Sequence, residues 1–318
     1  MLATIAESSI EKHVPQPTDE DVFAAFIAAL DASEKTKQTY TRSLRQWGEF
    51  LGESGENAIT ASRRTVLAFK ESELSSGKKA STVNAYLTAV RRLYAWLEAE
   101  AVKPNIASTI KGVRRSKTSP KESLTVSQTK EILASRPDEE ADVAALRDYA
   151  IVNLLCRRGL RTIEAARANI GDIKQLNGQA VLCVQGKGYA DKEEFVVLSE
   201  ECLAPIYRYL AARGCRDRTA PLFASESNRN HGGRMSTRSI SRIIKGAFKA
   251  HGIEAASLTA HSTRHTAVTL ALMAGASLQE VQAMARHRSI NTTMIYAHNL
   301  DRMKAGAERG IDGLLSAA

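Results

Sequence analysis

Residues 261–298 read HSTRHTAVTLALMAGASLQEVQAMARHRSINTTMIYAH, and the order of polar groups in this stretch decides how the rest of the chain is understood. His261 and Arg264 stand one helical turn apart and share a face. Ala267, Leu270, Leu272 and Met273 supply an apolar stripe behind them, which predicts a helix whose first residues project outward while the remainder anchors it. Ser277 to Met284 reads as a second short helix. His287 follows it, and Tyr296 comes nine residues later on a third segment opened by Ser289. Two imidazoles, a guanidinium and a phenol on one helical frame suit a phosphodiester: cations for its oxygens, a nucleophile, and groups that move protons.

Composition narrows the class. A chain of 318 residues is about two domains' worth, and 43% hydrophobic content supports packed cores. Charged residues at 25%, aromatics at 5% and no enrichment in Gly or Pro argue against disorder and against a fibrous repeat. Lys and Arg outnumber Asp and Glu by 44 to 35, a net charge of +9 that favours a polyanionic partner. Cys156, Cys183, Cys202 and Cys215 show no paired ligand spacing, so buried free thiols are expected, with neither a metal nor a cofactor. The N-terminus lacks the basic start and apolar core of a signal peptide, and no run of about 18 apolar residues occurs. A cytoplasmic protein with no membrane partner is expected.

Residues 1–17 read as a tail. Thr18 then caps a helix with Phe23, Phe26, Ile27 and Leu30 on one face. Further helices are expected from about Ser33 to Leu51, from about Ala61 to Ser75, and from a cap at Ser81, the last carrying Val83, Leu87, Val90, Leu93 and Leu97. Residues 18–110 thus form an all-α unit. Its Lys78, Lys79, Arg91 and Arg92, with Lys35, Lys37, Arg42 and Arg45, either face a phosphate backbone or make ordinary solvated surface. Residues 111–122 contain KGVRRSKTSPK, in which Arg114 and Arg115 belong to five Lys or Arg without a carboxylate. That is a basic linker, either a hinge or a strap along a duplex.

From residue 123 the pattern becomes mixed. Thr125 to Leu133 and about Glu139 to Cys156 read as helices; Gly159 breaks the second, and Arg161 starts another, three residues ahead of Glu164. Arg161 and Glu164 are either a surface pair worth about a few tenths of a kcal/mol or a phosphate ligand and a carboxylate that orients a neighbouring donor. After Asp172 the period turns extended. Ala180 to Val184 and Glu194 to Leu198 are strands, with Gly186-Lys187-Gly188-Tyr189 as the turn region of a hairpin, before a helix from about Glu200 to Arg213. Between Arg229 and Lys249 there are six Lys or Arg and no carboxylate. Arg238, Arg242, Lys245 and Lys249 share one helical face and Ile240, Ile243, Ile244 and Phe248 the other, which makes a nucleic-acid surface or a solvated face. The expected fold is mainly α with a small β-sheet in the second domain.

Taken together, Arg161 in RGLRTIE, Lys187 in the GKG turn, His261 and Arg264 in HSTR, His287 in ARH and Tyr296 in TTMIY resemble the active-site series of the tyrosine recombinases, the integrase and Xer group of site-specific DNA recombinases. The similarity spans nearly the whole chain. It implies a helical, SAM-like core-binding domain at 18–110, a mixed α/β catalytic domain at 123–298, and a C-terminal helix and tail at 299–318, exchanged between subunits or packed on its own domain. Two departures stand out. The family usually has Leu-Gly before the second His, where Ala285-Arg286 stand here, a change of local packing or an added DNA contact at Arg286. Leucines common after the first Arg are replaced by Ala165, Ala166 and Ala168.

A tyrosine has a pKa near 10, so roughly one in a thousand is ionised at neutral pH, and attack on phosphorus needs cations and a proton acceptor. The resemblance implies that Tyr296 forms a 3′-phosphotyrosyl link and frees a 5′-hydroxyl. Arg161 and Arg264 would hold the non-bridging oxygens, His287 would donate to them, Lys187 would protonate the leaving oxygen, and His261 would act as base or positioning group with Glu164 orienting it. The covalent link preserves the bond energy, so neither ATP nor a metal is required. The implied partners are double-stranded DNA and further copies of the chain, as a tetramer on two sites, with an accessory directionality factor possible for integration, excision, dimer resolution or movement of a mobile element. The short stretch before Thr18 leads to an expectation of core-type target sites without an arm-binding domain. A type IB DNA topoisomerase and a catalytically silent DNA-binding regulator are the rival readings.

Overall fold

The computed structural model describes residues 17–114, 122–138, 140–186, 191–254, 257–304, 311 and 314–316. The chain divides between Ser119 and Pro120 into two compact units. The first is built from α1 (Asp19–Ala29), α2 (Glu34–Glu53), α3 (Arg63–Ser75) and α4 (Ala80–Ala99). Side-chain oxygens of Thr18, Ser33 and Ser62 accept the otherwise unpaired N–H of the third residue onward and so set where the first three helices begin. The fourth starts earlier than its sequence suggests, because Lys79 is the N-cap and Ser81 lies inside the first turn. The apolar faces close over Trp47, which is fully buried and meets Phe69 edge-on at 5.1 Å and Tyr94 at 6.3 Å. The Tyr94 hydroxyl donates to the Ala58 carbonyl at 3.1 Å, and burial raises its pKa well above the ordinary phenol value.

The second unit contains α5 (Val126–Ala134), α6 (Val143–Arg158), α7 (Thr162–Arg167), β1 (Ile173–Leu176), β2 (Gln179–Val184), β3 (Glu194–Val197), α8 (Glu200–Arg213), α9 (Thr237–Ala250), α10 (Ala260–Met273), α11 (Leu278–Ala285) and α12 (Ile290–Lys304). The mainly helical class with a small sheet is what the sequence led us to expect. The strands form an antiparallel sheet in the order β1-β2-β3. Strand β1 had no place in the sequence reading, yet Asn177-Gly178 marks it. Both residues have positive φ, 49° and 77°, and they close a two-residue hairpin in which Leu176 faces Gln179. Helix α6 begins later than about Glu139, because the Asp142 carboxylate accepts the Ala145 N–H at 2.6 Å and fixes the start there. Lys187 of the expected GKG turn, Arg115 of the linker and the tail up to residue 16 lie outside the described residues.

Burial along α10 departs from expectation at Arg264, which is buried, and at Met273, which is exposed. Ala260 and residues 262–268 are buried, whereas Met273 at the far end is 45% exposed. The helix packs against α6, α9, α11 and α12, so Arg264 and His265 point into the protein while His261 stays exposed, and of the apolar stripe Leu270 and Leu272 are half-buried and Met273 emerges. Gly159 makes this packing possible. It ends α6 at φ 59°, and a Cβ there would lie 3.0 Å from the Cβ of Ala267 on α10. Gly159→Ala is therefore expected to lower unfolding free energy in urea by about 1–3 kcal/mol, from left-handed strain plus the tight contact; an unchanged midpoint would contradict the close approach of α6 and α10.

Candidate active site

Arg161 is the N-cap of α7, and Glu164, in the first turn, reaches back to it. One carboxylate oxygen accepts the Arg161 backbone N–H at 2.8 Å, and the other accepts its guanidinium at 2.6 Å. The oxygen that takes the backbone N–H also accepts the Arg286 guanidinium at 2.6 Å. Glu164 is 1% exposed. Burial by itself would raise its pKa, but Arg286 and Arg161 outweigh that and hold the carboxyl below its ordinary value.

Arg286 caps the C-terminus of α11 in the left-handed region, φ 53° and ψ 49°. Its side chain turns inward rather than toward a DNA partner: it is buried, bonds Glu164, and donates to the Met284 carbonyl at 2.7 Å. Around this helix end the carbonyls of residues 284–286, which no longer have partners within the helix, each receive a guanidinium. Met284 accepts from Arg286, Ala285 from Arg264, and Arg286 from Arg161 at 3.1 Å. The negative end of the helix dipole favours such cations. Arg264, 2% exposed on α10, also donates to the Gly159 carbonyl at 2.8 Å. Burial, together with Arg161 and Arg286 nearby, pushes its pKa down to about 10, so it stays charged at neutral pH.

Tyr296 on α12 completes the cluster. Its ring stacks on His287 at 6.2 Å with an interplanar angle of 12°, and its hydroxyl shares a hydrogen bond with Nδ1 of His265. His265 is buried and meets His261 edge-on at 4.6 Å, while His287 bonds the Thr293 hydroxyl at 2.9 Å. Burial raises the Tyr296 pKa, and the charge of Arg264 works against that rise. The structure thus gathers Arg161, Arg264, His261, His287 and Tyr296. The expected pairing of Glu164 with His261 is replaced: the buried carboxylate orients two guanidiniums, and the exposed His261 packs on His265. Sequence reasoning missed His265 and the inward turn of Arg286. The first was readable, since His261 and His265 are four apart and share a helix face.

The basic residues separate into two groups. Lys78 pairs with Glu73 at 2.5 Å and bonds Gln46, and Arg91 donates twice to the Ile110 carbonyl. Lys79, Arg92 and Arg114 are exposed, as are Arg238, Arg242 and Lys245 on α9, opposite the buried Ile240, Ile244 and Phe248. Among the described residues no cluster of His, Cys, Asp and Glu is arranged to hold a metal ion, and no helix is long and apolar enough to cross a membrane.

The sequence profile of the phage integrase family matches residues 122–303, and that of the phage integrase N-terminal SAM-like domain matches residues 21–101. The chain belongs to the phage integrase family of tyrosine recombinases. It is 32% identical over 278 residues to a tyrosine recombinase XerC of Pelobacter propionicus, covering 85% of this chain and 87% of that one. It is 28% identical over 296 residues to a tyrosine recombinase XerD of Rhizobium meliloti, covering 88% and 93%. The fold matches a crystal structure of the XerH site-specific recombinase bound to a palindromic difH substrate, a post-cleavage complex, with TM-score 0.73, 21% identity and coverage of 92% and 85%.

The buried carboxylate of this recombinase generates a pH prediction. A carboxyl held below its unfolded pKa of 4.5 contributes stability that is present above that value and lost as pH falls through the folded one. Glu164→Gln should cost about 3–5 kcal/mol at pH 7, since it leaves Arg286 without its anion, and the difference from wild type should narrow toward pH 4. Urea unfolding at both pH values checks this; an equal difference at each would contradict the ionised pairing.

Proposed function

We propose that the protein is a site-specific DNA recombinase that breaks and rejoins strands through Tyr296, and that Arg161, Arg264, His261 and His287 form its reaction centre with Lys187. The observation that carries this reading is Tyr296 lying under the charge of the buried Arg264, next to Arg161 and Arg286, which share the buried carboxylate of Glu164. The phenolate oxygen forms a bond to phosphorus, and the bond from phosphorus to the 5′-oxygen breaks, leaving a 3′-phosphotyrosyl link. The phenolic proton leaves through the hydrogen bond to His265, and the 5′-oxygen takes a proton from Lys187. Arg161 and Arg264 offset the charge that gathers on the non-bridging oxygens, where one such donor is typically worth about 10²–10³ in rate. Attack of a 5′-hydroxyl from a second duplex reverses these steps and joins a new strand.

Exchange between duplexes requires several cleaved strands at once, so the working unit is four copies on two DNA sites. An accessory factor that sets direction acts on that assembly, and the reaction takes place in the cytoplasm, where the DNA is. The helical unit and the basic face of α9 supply the electrostatic grip, with Lys79, Arg92, Arg114, Arg238, Arg242 and Lys245 as the contact residues.

Two tests follow. On nicked duplexes selected for binding from a randomised pool, wild-type protein should form a detergent-resistant protein–DNA adduct and then exchange strands. Tyr296→Phe should form none, and Arg264→Lys should slow adduct formation by about 10²–10³. Adduct on the nicked duplex, with relaxation of a supercoiled closed-circular plasmid and no exchange, would instead assign a topoisomerase. Binding should also fall with salt at a log–log slope of about −0.9 per neutralised phosphate, and a flat response would contradict the basic contact surface.

A further inference from the structure

Position 286 holds an arginine in a backbone conformation that favours glycine. An ordinary helix-ending residue there would leave its side chain in solvent. This side chain is 4% exposed, donates to Glu164 at 2.6 Å and to the Met284 carbonyl at 2.7 Å, and has Nε 3.8 Å from Glu194. Glu164 binds Arg161 at the same time. A one-to-one pair of Arg161 and Glu164 is electrically neutral, whereas with Arg286 the three hydrogen-bonded groups carry a surplus positive charge, which Glu194, 34% exposed to solvent and 3.8 Å away without a hydrogen bond, offsets only in part. Of the two guanidiniums Arg161 is the accessible one, 26% exposed against 4%, so the surplus is presented through Arg161. The backbone carbonyl of Arg286 also holds the Arg161 guanidinium at 3.1 Å. Residue 286 thus sets both the position and the net charge of its neighbour.

We propose that Arg286 is a positioning residue of the reaction centre: by neutralising Glu164 it frees the charge of Arg161 and keeps a net positive charge aimed at the scissile phosphate. This rests on the recombinase reading above. In a water-poor site an uncompensated cation acts strongly on charge that develops during reaction. The effect depends on the charge of the phosphate, which separates it from helix ending and from DNA contact.

The test uses the full chain and the selected nicked duplexes, with either an ordinary phosphodiester or a methylphosphonate at the scissile position. The methylphosphonate replaces one non-bridging oxygen by a methyl group and carries no charge. On the phosphodiester, Arg286→Gly is expected to slow adduct formation about 10- to 100-fold, less than loss of a direct donor, and on the methylphosphonate by under about threefold. DNA affinity should stay within about threefold, and Arg286→Lys should recover most of the rate. Arg286→Gln, which keeps the length without the charge, should behave as Arg286→Gly does and stands in for it if the glycine variant does not fold. Equal slowing on both linkages, weaker binding without a slower reaction, or no slowing would each overturn the role of Arg286 alone. Wild-type protein that formed no adduct on the phosphodiester would overturn the recombinase reading and this inference together.

Discussion

Three guanidinium groups converge on three consecutive carbonyls at the end of one short helix, and the second unit is arranged so that they can. The carbonyls of Met284, Ala285 and Arg286 exist as free acceptors only because α11 stops there. The cations come from different places: Arg161 from the cap of α7, Arg264 from the enclosed half of α10, and Arg286 from α11 itself. Arg264 reaches further, to the carbonyl of Gly159 at the end of α6. Neutral carbonyl dipoles, rather than a matching set of carboxylates, therefore carry most of the hydrogen bonding. That choice has a chemical consequence. Each carboxylate would cancel a positive charge, whereas a carbonyl satisfies the donors and leaves the charge in place for a substrate.

Tyr296 sits in this field under two opposing influences. Burial among α10, α11 and α12 disfavours its phenolate, and Arg264 favours it. The hydroxyl is held by His265 and the ring by His287, which restricts the side chain to one orientation. On the proposed reading, a phosphodiester brought against Arg161 and Arg264 meets a nucleophile that needs little further ordering, which is how a fixed polar site lowers a barrier.

Much of this was legible from local chemistry. Thr18, Ser33 and Thr125 cap helices where an unpaired N–H calls for an oxygen, and the apolar period of 180–184 and 194–198 marks two strands. The order of Arg161, His261, Arg264, His287 and Tyr296 pointed to side chains that the fold brings together. What stayed hidden depends on partners distant in sequence. The outward or inward sense of α10 is set by the helices around it, so an apolar stripe that ends in the exposed Met273 misled. The aim of Arg286 follows from a left-handed cap and a carboxylate 122 residues away. Strand β1 was a different failure, since Asn177-Gly178 is a strong hairpin signal that went unread.

The most direct measurement is the site of the covalent bond. Wild-type protein trapped on a nicked duplex, digested with nuclease and trypsin and sequenced by mass spectrometry, should show the nucleotide mass on Tyr296 within residues 289–302. A nucleotide found on any other side chain, with Tyr296 unmodified, would contradict the assignment of the cationic pocket as the place where strands are cut.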